Sequence, residues 1–150
     1  MNRIGRDEIL TLIPHAGAMC LLDEVLAWDG DMLRCLSHRF AAADNPLRRA
    51  DGTLGAAGGI EIAAQAMALH GRLSAPTKGP PVPGFLVSVR DVVLSCPLLE
   101  AGTLEDAEAL DIAVHCLMAD TRGASYNFTV ATRGATMLSG RATVMFGAAP

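Results

Sequence analysis

Between Ile60 and Leu69 the only polar side chains are Glu61 and Gln65, set in a run of Ala, Ile, Met and Leu. The surrounding stretch, Gly58–Gly71, reads GGIEIAAQAMALHG, with two glycines in front and one behind an interior of good helix formers. That punctuation predicts a helix. Residues four apart on a helix share a face, so Gln65 lies one turn above Glu61. A helix apolar on every side is expected to be buried on every side. A carboxyl on its first turn is raised in pKa by desolvation and lowered by the nearby helix amides. The balance leaves a group able to hold or release a proton near neutral pH, which is what a general acid does. The plainer alternative is a solvated first-turn acid that interacts with the helix dipole. The four histidines and four cysteines show no metal-ligand spacing, so no metal site is expected.

The elements that must position this pair follow from the pattern along the chain. Asp7–Ile13 has an acidic start, apolar residues at 9, 10, 12 and 13 and Pro14 behind it, which predicts a short helix. A loop through His15 and Met19 leads to a strand over Cys20–Ala27; Trp28–Asp31 turns the chain into a returning strand, Met32–Phe40. Ala41–Ala57 has neither a period of two nor of 3.6 and predicts a loop. After the long helix, four prolines within Arg72–Pro83 forbid regular structure and predict a long crossover between strands that are not hairpin partners. Four strands follow, over Gly84–Cys96, Asp111–Ala119, Ser125–Thr132 and Thr136–Phe146, with Leu104–Leu110 readable as a strand start or a helical turn. One antiparallel sheet curled around one buried helix gives an α+β fold in a single domain, 1–150. Such a sheet covers one side of its helix, and a second chain is the simplest cover for the other, so at least a dimer is expected.

Composition narrows the partners. Hydrophobic residues make up 51% of the chain and aromatics 4%, so the core is aliphatic, with Met as filler. The formal charge is −4, and the largest basic cluster is the Arg48–Arg49 pair, which argues against nucleic acid. No apolar run reaches the roughly 18–20 residues of a membrane span. The amino terminus, MNRIGRDEIL, lacks an apolar signal core, so a cytoplasmic protein is expected. Cys20, Cys35, Cys96 and Cys116 are widely spaced in apolar runs and read as small buried thiols in a reducing compartment.

Three motifs carry a resemblance. Ile13–Val25, IPHAGAMCLLDEV, resembles the P-H-x-x-x-x-x-L-x-D-x-V opening of the 3-hydroxyacyl-acyl-carrier-protein dehydratases of bacterial fatty-acid synthesis. Glu61–Gln65 resembles the E-x-x-A-Q of their central helix, and Gly84–Val89 the strand after it. The order of elements is similar to the hot-dog fold of that group. Asn45–Arg48 (NPLR) and Gly59–Gly71 are further similar to a divergent branch, the small dehydratases of aryl-polyene and related pathways.

The resemblance implies elimination of water from a 3-hydroxyacyl thioester. The dehydratases proper carry a catalytic His in a G-H-F-P motif before the helix, and this chain has no His between Asn45 and Ile60. His15 takes the role of base: it follows Pro14, belongs to the matched opening motif, and has small neighbours that leave room for substrate. His38 reads as a strand residue, His70 as an imidazolium favoured at the helix carboxyl end, and His115 carries no signal. Glu61 is then the acid, oriented by Gln65. The amides of Gly59 or Ile60 receive the thioester carbonyl, and Met19, Met67 and Phe85 set the depth of the acyl tunnel. No bound cofactor is implied; the acyl chain would arrive on the phosphopantetheine of an acyl carrier protein, which Arg48, Arg49, Arg72 and Lys78 could meet. Two other readings fit the scaffold: a thioesterase with Glu61 as base or nucleophile, and a non-catalytic subunit that pairs with an active dehydratase.

Overall fold

The computed structural model describes residues 3–13, 19–75, 84–99, 109–132 and 134–146. In chain order these form β1 (Ile4–Gly5), α1 (Arg6–Leu12), β2 (Glu24–Trp28), β3 (Met32–Ser37), a 3-10 turn (Arg39–Ala41), α2 (Gly58–Ser74), β4 (Gly84–Leu94), β5 (Leu110–Ala119), β6 (Gly123–Thr132) and β7 (Ala135–Phe146). The strands make one sheet in the order β1-β2-β3-β5-β6-β7-β4, antiparallel throughout. The chain leaves β3, runs through α2 and enters β4 at the far edge, as the proline-rich crossover predicts. Residues 104–108 of the ambiguous segment lie outside the described residues, and Leu110 opens β5.

Period-two alternation aims one face of the sheet at α2. Leu33, Cys35, Ile112, Val114, Phe128, Val130, Leu138 and Val144 are buried there, against Ile62, Ala63, Ala66, Met67 and Leu69 of the helix. Each large aliphatic side chain so buried contributes about 1.5–3 kcal/mol. The helix approaches the sheet closely at Gly59, where a Cβ would overlap the Leu138 side chain.

Several boundaries differ from the sequence reading, and β1 is a strand that it does not include; three of the differences bear on the site. Cys20–Asp23 is buried but is not strand, because its backbone groups are taken by side chains. Arg6 donates to Cys20 O and Leu22 O (2.9 Å each), Ser37 Oγ donates to Leu21 O (2.5 Å), and Leu21 N–H donates to Gln65 Oε1 (2.9 Å). β3 stops at Ser37, not Phe40, because Asp23 Oδ2 accepts from the amides of His38 (2.6 Å) and Arg39 (2.9 Å) and turns the chain. His38 is therefore in a turn. The long helix runs three residues past Gly71.

Among the described residues β4 ends the sheet with one edge unpaired, and Val87, Val92, Val93 and Leu94 along it are exposed. The strand is interrupted by a bulge between Arg90 and Val93, where Asp91 adopts φ 54°, in the left-handed region that non-glycine residues rarely visit. Among the described residues no helix is long and apolar enough to cross a membrane.

Candidate active site

The loop before α2 sets where the helix begins. Asn45, buried, donates from Nδ2 to Phe40 O (2.8 Å) and accepts from Leu47 N–H at Oδ1 (2.9 Å). Arg48 donates to Ala42 O, Gly52 O and Ala41 O at 2.9, 2.9 and 2.7 Å. A guanidinium distributed over three carbonyls is a staple for the loop. Arg49 is exposed, with its guanidinium where a Cβ on Gly55 would sit; Lys78 lies outside the described residues.

At the first turn of α2, Glu61 is exposed and has no hydrogen-bond partner among the described residues. This corrects the expectation of a carboxyl walled in by apolar neighbours with no solvated side. The sheet buries the stripe through Ile62, Ala66 and Leu69, and the opposite stripe of Ile60, Glu61, Ala64 and Ala68 is left partly or fully open. All-apolar composition could not reveal this, because alanine tolerates either side.

The amides expected to receive a thioester carbonyl are engaged. Gly59 N–H donates to Ala56 O (3.0 Å) and Ile60 N–H to Ala57 O (3.1 Å), a tight first turn that satisfies groups a helix start usually leaves free. Gly59 serves close packing on Leu138. Gln65 is buried and does not orient Glu61: its Oε1 accepts from Leu21 N–H, and its Nε2 donates to Met19 O (2.8 Å). It thereby fastens the segment that follows His15 to the helix, one turn from Glu61. His15 itself lies in 14–18, outside the described residues. Met19 is exposed and Met67 is in the core. Phe85 pairs with Met145, on the face opposite Val144 and Phe146, so it points away from α2 and lines no tunnel beside it.

A second cluster sits at the other end of α2. His70 is buried, not a solvated imidazolium as its position suggests. Its Nε2–H donates to Asp29 O (2.9 Å), which leaves Nδ1 to accept from the Tyr126 hydroxyl (2.8 Å), and the two rings meet edge to face at 5.5 Å. Cys116 lies opposite Tyr126 across the β5–β6 ladder. Burial lowers the His70 pKa and raises those of Tyr126 and Cys116, so all three are neutral near pH 7. They back a cavity of about 610 Å³. One signal was in the sequence: Tyr126 is the only tyrosine and falls on the inward period of its strand, where a hydroxyl must find a partner.

A profile of the ApeP-like group, described as ApeP dehydratase, matches residues 7–148. The chain belongs to the ApeP-like dehydratase family. No curated protein sequence matches it. Among solved structures it is similar to the dehydratase heterocomplex ApeI:P from Xenorhabdus doucetiae, at 22% identity and TM-score 0.75, over 93% of this chain and 91% of that one. It is also similar to a thioesterase from Haemophilus influenzae (11% identity, TM-score 0.62, 95% and 90% covered) and to a mutant thioesterase from Pseudomonas aeruginosa (11%, 0.59, 87% and 84%). These likenesses establish the hot-dog fold, as the order of elements predicts. In this member of the ApeP-like family, the acid of the E-x-x-A-Q motif faces outward and its Gln faces the loop.

Proposed function

We propose that the chain acts in the cytoplasm as a 3-hydroxyacyl thioester dehydratase, with substrate carried on the phosphopantetheine of an acyl carrier protein. His15 takes the proton from the carbon beside the carbonyl, and Glu61 protonates the departing hydroxyl, directly or through a water. Both steps are proton transfers, so the chemistry calls for no bound cofactor.

The observation that carries this reading is Glu61 on the uncovered face of α2, with Gln65 one turn on holding the segment after His15. His15 lies four positions before Met19, and an extended chain of that length reaches at most about 14 Å. A second hot-dog chain laid over Ile60, Ala64 and Ala68 would remove water from Glu61 and supply the desolvation that a general acid needs. The open apolar edge of β4 suits such a pairing. The partner is a second copy or a sister subunit. The similarity to a chain of the ApeI:P heterocomplex favours the mixed pair, in which this chain could also serve by shaping its partner's site.

The test is turnover of 3-hydroxyacyl- and enoyl-carrier substrates by the chain alone and with a sister hot-dog subunit. Water loss or addition supports the dehydratase, free acid a thioesterase, and silence until the sister is added the mixed pair. Glu61→Gln and His15→Ala are each expected to lower kcat by about 100-fold or more with folding retained. A fully active His15→Ala chain would show that the base is another group.

A further inference from the structure

We propose that the outer face of the sheet beside β4 selects the second chain by charge: Arg90 and Arg141, side by side and unneutralised, favour a sister subunit with a carboxylate on the facing strand over a second copy of this chain. For pairing through β4 this rests on the reading above; it does not depend on the reaction.

The two arginines are opposite each other across the β4–β7 ladder, and Arg141 is in turn opposite Asn127 of β6. Phe128 and Ala142, their neighbours in sequence, are buried on the α2 side, so Asn127, Arg141 and Arg90 share the other face, where all three are exposed. Directly opposite residues have Cβ atoms about 4.5–5.5 Å apart, and like charges so placed destabilise a ladder. Among the described residues neither guanidinium has an ion pair. Arg34 shows how this face neutralises an arginine elsewhere. Its Nε donates to Asp111 Oδ1 and Oδ2 (2.9 and 3.1 Å) on the next strand, diagonal to the directly opposite Ala113. A carboxylate on a strand laid beside β4 would stand in the same relation to Arg90.

The sheet ends at β4, so Arg90 is one strand spacing, about 4.8 Å, from whatever pairs there. A copy of this chain brings the wrong charge. Antiparallel pairing over the whole of Gly84–Leu94 sets Arg90 against Ser88 of that copy and diagonal to its Arg90, about 7–8 Å away. Four arginines then meet two carboxylates, because Asp91 is the only acidic residue of the strand. The exposed Val87, Val92, Val93 and Leu94 attract apolar strands alike and leave discrimination to charge.

The experiment uses this chain as its own test partner. Arg90→Glu/Arg141→Glu, with both changes at exposed positions, reverses the charge and stands in for an acidic sister. The unsubstituted chain and the double variant, each checked for folding by circular dichroism, are mixed in equal amounts, and their pairs are counted by native mass spectrometry once exchange is complete. Expected is an equilibrium constant for exchange of self-pairs into mixed pairs about tenfold or more above the statistical value. Statistical proportions, or no pairs at all, would overturn the inference. Independently, sedimentation velocity should show self-association of the unsubstituted chain strengthening between about 50 and 500 mM NaCl, and strengthening less in Arg90→Gln. Equal salt responses in the two would also overturn it. Failure of the dehydratase reading, judged by turnover, leaves both measurements standing.

Discussion

Gln65→Leu removes both ends of one side-chain bridge at nearly constant volume. In the folded protein Oε1 accepts from the amide of Leu21, whose residue is 2% exposed, and Nε2 donates to the carbonyl of Met19, which is 54% exposed. The two losses are unequal. Met19 O can turn to water, at about 0.5–1 kcal/mol, whereas the Leu21 N–H is left buried and unpaired, at about 1–3 kcal/mol. The sum, about 1.5–4 kcal/mol, corresponds for a chain of this size to a fall in Tm of roughly 3–16 °C. The assay is thermal unfolding together with hydrogen exchange at the Leu21 amide, which should lose protection in Gln65→Leu. If the mechanism is right, kcat falls more than KM rises, because the segment that carries His15 loses its anchor. A Leu21 amide still protected, with Tm lowered by less than about 2 °C, would show that something else holds this segment.

Gly59→Ala places a methyl against Leu138 and should destabilise by about 1–3 kcal/mol. Trimming Leu138 to Ala in the same chain should recover part of that loss, a non-additivity that urea unfolding of the single and double variants would reveal. For His70, burial holds the folded-state pKa below the unfolded value, so the unfolded chain binds the proton more readily. Stability is therefore full above the unfolded pKa of about 6.5 and is lost as pH falls towards the folded value. Urea midpoints measured from about pH 7.5 down to about pH 5 should fall, and less steeply in His70→Asn.

The long helix was legible because its glycine punctuation and helix formers agree, and the strands because their alternation is regular. What composition could not settle was which side of α2 meets the sheet. A polar stripe marks the outside of most helices, and here Ala64 and Ala68 hide it. Cys20–Asp23 looks like strand by propensity, yet Arg6, Ser37 and Gln65, distant in sequence, capture its backbone. Gln65 meets Leu21 and Met19 instead of Glu61, since four-residue spacing fixes a face only when both side chains extend the same way. The place of His70 on the helix suggests charge, and only the fold supplies Tyr126 and the carbonyl of Asp29.

The kink at Asp91 limits what the open margin of the sheet can accept. A flat foreign strand laid along the eleven residues of β4 would find its ladder broken part-way, with a carboxylate standing at the gap. Short stretches on either side could still zip, but continuous pairing requires a neighbour with a matching irregularity. The same irregularity that spoils the strand's geometry thus discriminates among companions, and it discourages the indiscriminate stacking to which a straight valine-rich border would be prone.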